Sequence, residues 1–425
     1  MIIAFNCGSS SIKFKLFDKD LNTLASGAAK NIGEDPTINI SGAASVNETI
    51  SKDTAYNDIF KALLDKIFKA LNIKEDDITA TSHRVVHGGN IDKPVVVTSD
   101  HSEKLKEIDK ISAFAPLHNG SALMSLEAVL EQLPNTPAVI VFDTLFHHTL
   151  PQAVRQYAIG KPDHEPRIPL QKYGAHGLSY QSILKIVASK LGKKENETSI
   201  VVAHLGSGGS ACAIKNGKSV DTTMGLTPLE GLPGGSRTGS IDPTLIFHLV
   251  RDVAETLDVN GMRVSRGEYI MNKQGGFVGL CGTSNFGKIL DEIPPADHEC
   301  WKPWYEGDMP NKYALAYALY LDRLTQYLLS YLQKLSHGQD PKNAIDALVF
   351  SGGIGEKSVR LRKDVVDRLS VFGVSVVDSL NNQASEQEDE GAFALSNDIS
   401  KIPAYVCWTD EEGEAARQAK STLNV

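Results

Sequence analysis

Two stretches, IIAFNCGSSSIKFKLFD at 2–18 and SIVVAHLGSGGSACAIKNGKSV at 199–220, decide the fold, because they share one grammar. Each opens with a short apolar strand, turns on small residues and returns as a second strand; in the first, Ile12, Phe14 and Leu16 alternate onto one face. The second closes on Asn216-Gly217, a dipeptide suited to a two-residue hairpin turn. A repeat spaced by roughly 200 residues is no tandem array, whose period would be about 20–50. It predicts an α/β molecule of two duplicated lobes with a cleft between them.

Working outward, the strands PAVIVFD (137–143) and DALVFSG (346–352) alternate with helical patterns, as α/β lobes require. Ile59, Leu63, Ile67 and Leu71 recur every four residues, and 312–335 carries a longer stripe through Tyr317, Leu321, Leu324 and Leu328. The segments 292–311, with Trp301 and Trp304, and 381–400 lack either period and read as loops.

The 425 residues are 41% hydrophobic and 22% charged, the balance of an ordered globular chain. A net charge of −9 speaks against a nucleic-acid or acidic-membrane surface and leaves room for a local basic pocket. The apolar run from Met1 ends at Asn6 without a basic lead-in, so neither signal peptide nor anchor is expected and the location reads as cytoplasmic. Cys7, Cys212, Cys281, Cys300 and Cys407 are odd in number and scattered, and read as reduced thiols.

Three turns could meet phosphate. Asn6 to Lys15 gathers backbone N–H groups, the hydroxyls of Ser9, Ser10 and Ser11, and the charge of Lys13; it suits a plain hairpin equally well. HLGSGGS (204–210) is followed by a strand, so it is no dinucleotide fingerprint. SGGIGE (351–356) joins a strand to a helix, where glycines let backbone approach a ligand.

Arg84 in HRVVHGG (83–89) and Arg237 in GGSRTGS (234–240) sit among small residues that no regular element needs, and paired guanidiniums could grip a phosphoryl group from two sides. Asp143 ends a strand, and Glu411 in TDEE (409–412) follows one; each could serve a magnesium ion, while Asp410 and Glu411 could equally cap a helix.

Taken in order, NCGSSSIKFKL, HRVVHGG, APLHN, VFDTLFHHT, YGAHG, HLGSGGS, MGLTPLEGLPGGSRTGSIDP, GGIGE and TDEE resemble the acetate kinase family from end to end. That resemblance implies the fold shared with sugar kinases, actin and heat-shock chaperones. It divides the chain into an acyl-side lobe, 1–148 with 395–425, and a nucleotide-side lobe, 149–394. It implies reversible phosphoryl transfer between ATP and acetate, giving ADP and acetyl phosphate, with Mg²⁺ replaceable by Mn²⁺, in a homodimer. Propionate or butyrate as acyl acceptor, or pyrophosphate as donor, are the alternatives on the same scaffold.

By the same resemblance Arg84, Arg237, His176 and Asp143 are catalytic, and Asn6 and Glu411 serve the metal. Ser9, Ser11, Lys13, His204, Gly206, Ser207, Gly208, Asn285, Phe286, Gly287, Gly353, Ile354, Gly355 and Lys357 line the nucleotide and phosphate side, and His118 lines the cleft. Val86, Leu117, Ala175 and Pro228 form the acyl pocket, where Ala175 stands for the family's phenylalanine. Lys357 replaces the asparagine of GIGEN, and Asn285-Phe286-Gly287 replaces Asp-Phe-Arg. These departures imply a wider acyl pocket and looser purine recognition.

Overall fold

The computed structural model describes residues 1–425 apart from 9, 43–44, 100–101, 112–115, 260–261, 295–307 and 388–390, and apart from the side chains at 102–104, 109, 116–118 and 262. Ser9, Cys300, Trp301, Trp304 and the side chains of Leu117 and His118 lie outside the described residues.

The first hairpin pairs β1 (Ile2–Cys7) with β2 (Ser11–Phe17), antiparallel from Ile2 opposite Phe17 to Cys7 opposite Ile12. Alternation sends Ile12, Phe14 and Leu16 into a core shared with Ile59, Leu63 and Ile67 of the helix Tyr56–Leu71. Antiparallel strands β3 (Thr23–Lys30), β4 (Thr37–Gly42) and β5 (Val46–Thr49) extend that edge. On the other side of β1 lies β6 (Ala80–Val85), and β7 (Val95–Val97) and β8 (Ala138–Phe142) complete the sheet. The order is 5-4-3-2-1-6-8-7, with β1, β6 and β8 mutually parallel.

The second sheet repeats this plan. β9 (Ile200–His204) and β10 (Ser210–Lys215) form the hairpin, and β11 (Lys218–Thr222) follows the turn at Asn216-Gly217, both at positive φ. A separate hairpin, β12 (Thr256–Val259) with β13 (Met262–Ser265), intervenes. Then β14 (Ala347–Ser351), β15 (Ala392–Ala394) and β16 (Ala404–Cys407) give the order 11-10-9-14-16-15, with β9, β14 and β16 parallel. Without the edge additions, both sheets reduce to a hairpin, a third antiparallel strand and two parallel strands beside the first.

Helices bind the sheets together. Tyr180, Ile183, Leu184 and Val187 of the helix Gly177–Lys190 cover one face of the second sheet, and Tyr317, Leu321, Leu324 and Leu328 of the helix Lys312–Ser336 cover the other. The final helix, Glu411–Leu423, crosses back and lays Ala415, Ala416 and Ala419 on Ile2, Ala4 and Val139 of the first sheet, small side chains allowing close approach.

One expectation is corrected here. The segment 381–400 is not all loop: the helix Asp378–Glu386 runs into it and β15 lies within it. Its polar composition misleads because the buried Asn381 serves a buried arginine, Arg362, rather than solvent. Toward the end of the chain, β16 pairs in the second sheet and the last helix packs on the first.

Candidate active site

The C-terminal ends of parallel strands put the chemistry in one place, as open α/β sheets do. Asn6 lies near the end of β1 and Arg84 near the end of β6, Asp143 follows β8, and His204 ends β9. Arg84 is the hub. Its Nε and Nη2 donate to the two oxygens of Asp143 at 3.0 and 2.7 Å, and its Nη1 donates to Glu411 Oε2 at 2.7 Å and Asn6 Oδ1 at 3.2 Å. Asn6 Nδ2 in turn donates to Glu411 Oε2 at 2.8 Å and to Glu412 Oε1 at 3.2 Å, and the Ser179 hydroxyl donates to Glu411 Oε1.

Electrostatics follows from this packing. Burial opposes the charge on Arg84, but Asp143 and Glu411 outweigh it and push its pKa above the usual arginine range. Glu411 is likewise raised by burial but more strongly lowered by Arg84 and His204, and ends below its ordinary value. Burial pushes Asp143 up against Arg84; two guanidinium bonds and the His176 N–H at 3.1 Å nevertheless fit an ionised carboxylate.

The question left open for Asp410 and Glu411 resolves by geometry. Asp410 is the cap, accepting from Gly413 N at 3.0 Å and from Lys15 Nζ at 2.8 Å. Glu411, one residue on, faces Arg84. Lys13 is near enough to help lower Glu411.

His176 enters through backbone strain. It is left-handed at φ 59°, which costs a non-glycine residue roughly 1–3 kcal/mol. Its neighbour Gly177 packs so tightly that a Cβ there would stand 1.9 Å from the Asp143 carbonyl oxygen, which explains the second glycine of YGAHG. Ala175 is buried, and its carbonyl accepts from His147 Nε2 at 2.9 Å. The His176 ring stands edge-on to His204, with centroids 4.9 Å apart.

Arg237 arrives from the other side. The turn 206–209 and the loop at 234–237 interlock through Gly235 N donating to Ser207 O at 2.7 Å, and a Cβ on Gly208 would sit 3.0 Å from Arg237 Nη1. That nitrogen also donates to Pro228 O at 3.3 Å. Burial lowers the Arg237 pKa, the reverse of Arg84. Val86, Pro228, Gly206 and Ser207 keep some exposure.

The residues expected near the nucleotide have defined settings within the protein. The Phe286 ring is in the second core, 5.6 Å from Phe277 and 5.8 Å from Tyr320, because it begins a short amphipathic helix. Asn285 caps that helix, accepting from Lys288 N at 3.0 Å, and Gly287 lies in its first turn. Lys357 donates to the carbonyls of Ser385 and Gln387, both at 3.2 Å. The N–H groups of Ile354 and Gly355 bond Leu205 O at 2.8 and 3.3 Å, so of the expected SGGIGE contacts Gly353 is the exposed one.

The sequence reading passed over Ser179, Ser210, Tyr180, His147 and Asn119. Asn119, buried, exchanges two bonds with the His87 backbone at 3.1 and 3.0 Å and so ties APLHN to HRVVHGG. No spacing rule flags such residues, although Ser210, His147 and Asn119 stand inside quoted motifs.

Four of the histidines here are held neutral by burial: His83 falls to about 3, His147 and His204 to about 4, and His176 well below its ordinary 6.5. Because the unfolded chain takes up these protons first, their contribution is intact above 6.5 and is lost as pH falls from there through about 4. Stability to urea is expected to be lower at about pH 5 than at about pH 7.5, on the order of a few kcal/mol. A flat profile would mean that these rings are open to solvent.

Comparison with known proteins agrees with this geometry. The model of the Acetokinase family matches residues 1–417. A probable acetate kinase of Cryptococcus neoformans is 43% identical over 99% of this chain and 97% of its own length. An acetate kinase of Campylobacter jejuni is 35% identical over 98% and 97%. The crystal structure of a propionate kinase from Francisella tularensis superposes with a TM-score of 0.79 at 30% identity, covering 98% of both chains. The chain belongs to the acetokinase family, and is a phosphotransferase with a carboxyl group as acceptor.

Proposed function

We propose that the protein transfers the γ-phosphoryl group of ATP to acetate, and back from acetyl phosphate to ADP, by direct in-line displacement. The observation that carries this reading is the convergence on His176 of Arg84, charged and fixed by Asp143 and Glu411, and Arg237, whose charge burial disfavours. A carboxylate is already ionised at neutral pH and needs no general base, so positioning and charge neutralisation suffice. Acyl phosphate trapped as its hydroxamate, across an array of acids and phosphoryl donors, tests the reading; no trapped product with ATP and any short carboxylate would overturn it.

Asn6 and Glu411 offer hard oxygen donors beside Ser179, and Mg²⁺, which keeps several waters, needs few protein ligands. Among the described residues no cluster of three His, Cys, Asp or Glu side chains could hold a metal. Bound there, Mg²⁺ or Mn²⁺ would neutralise phosphate charge. Arg84 and Glu411 orient Asn6, and His204 lies beside His176. Ser11, Lys13 and the turn 206–208 line the phosphate side. A homodimer is best placed on the exposed apolar run Leu245, Phe247, Leu249 and Val253. No helix among the described residues is long and apolar enough to cross a membrane.

Ala175 favours a second acceptor, propionate. Leu178, the neighbour best placed to refill the lost aromatic volume, packs instead on Val139, Val141 and Ala416. A buried methylene gains about 0.8 kcal/mol, roughly fourfold in kcat/KM. Ala175→Phe is expected to lower the propionate-to-acetate ratio of kcat/KM by about that factor; an unmoved ratio in a folded variant removes position 175 from acyl selection.

A further inference from the structure

The His176 ring is held by one edge. Its Nδ1 lies 2.8 Å from Ser210 Oγ, and that oxygen lies 2.5 Å from the Tyr180 hydroxyl, whereas Nε2 has no hydrogen bond among the described residues. The three groups come from different places: the strained residue before the helix Gly177–Lys190, the first turn of that helix, and the first residue of β10. Ser210 and Tyr180 are both fully buried, so neither can exchange its partner for solvent.

A serine oxygen carries a single hydrogen, and because this chain is buried its hydrogen bonds must all be made, which leaves two arrangements. In one, Tyr180 donates to Ser210, Ser210 donates to Nδ1, and the ring hydrogen is on Nε2. In the other every bond reverses and Nε2 presents a lone pair. Burial, with the charges of Arg84 and Arg237, keeps the ring from holding both hydrogens, and burial keeps the Tyr180 hydroxyl protonated. Between Arg84 and Arg237, the group to be met is an anion. A lone pair facing it repels, and an N–H attracts.

We infer that Tyr180 and Ser210 are positioning residues that fix His176 as its Nε2–H tautomer, aiming a hydrogen-bond donor at the phosphoryl group held by Arg84 and Arg237. The inference rests on the phosphoryl-transfer reading of this site. Tyr180 also has a packing role, lying edge-on to His147 and stacked with Phe146, so its hydroxyl must be tested apart from its ring. The same ring makes Tyr180→Phe a clean variant, since it removes only the oxygen.

The test is ¹⁵N NMR of histidine-labelled enzyme, with the His176 signals assigned by their loss in His176→Gln. The wild type should show a protonated Nε2 and a bare Nδ1, and both Tyr180→Phe and Ser210→Ala should shift His176 toward a tautomer mixture. In kinetics, Ser210→Ala should lower kcat on the order of a hundredfold and Tyr180→Phe about tenfold, with KM little changed, the pattern of an interaction made mainly in the transition state. A protonated Nδ1 in the wild type, or an unmoved tautomer in Tyr180→Phe, overturns the inference whatever happens to activity. Normal kcat despite a shifted tautomer overturns its catalytic consequence. Full activity in Arg84→Ala would instead overturn the reading of the site, leaving the tautomer assignment to stand or fall on the spectra.

Discussion

Arg84→Ala is expected to lower kcat by ~10²–10³ and, in the same variant, to destabilise the fold by ~3–5 kcal/mol. The rate loss follows from removing a preorganised cation at a developing charge. The stability loss follows from Asp143, which is 0% exposed and receives two of its bonds, at 3.0 and 2.7 Å, from this guanidinium. Without Arg84 the carboxylate keeps the His176 N–H and little else to offset its buried charge. The second cost arises because Arg84 also neutralises its own surroundings. Urea unfolding and the hydroxamate assay separate the two effects. Arg84→Ala combined with Asp143→Ala should regain stability and not rate. A stable single variant would show that Asp143 does not need its partner.

Arg237→Ala should match that rate loss, ~10²–10³, without the matching loss of stability. Burial lowers the Arg237 pKa, so its charge is less favourable there than in water and gains from a nearby anion. Its Nη1 donates to a backbone carbonyl, Pro228 O, a contact that leaves no buried carboxylate behind when the side chain is removed. The expected signature is in binding: phosphate or ADP raises the melting temperature of the wild type and does so much less in Arg237→Ala. Arg237→Lys should recover little, since an ammonium cannot reproduce the planar fork. Equal ligand stabilisation in Arg237→Ala would remove this residue from the anion site.

The two arginines show where sequence reading stops. Both stand out for the same reason, a charged fork among small residues, and as letters they look alike. Their opposite electrostatics depends on which carboxylates the fold brings near. Arg84 meets Glu411, 327 positions away, only because the last helix crosses back to the first sheet.

Read alone, the sequence determined the duplicated α/β plan, the two hairpins and the long helices. Strand alternation, helical period and turn glycines are local rules written within a few residues. Tertiary structure alone decided that Asp410 caps while Glu411 faces Arg84, that Phe286 belongs to the core and Lys357 to a helix end, and that Ser210 and Tyr180 stand behind His176. Each of those assignments is a contact between distant segments, and a side chain's direction and hydrogen-bond partners are set by packing that no local pattern encodes.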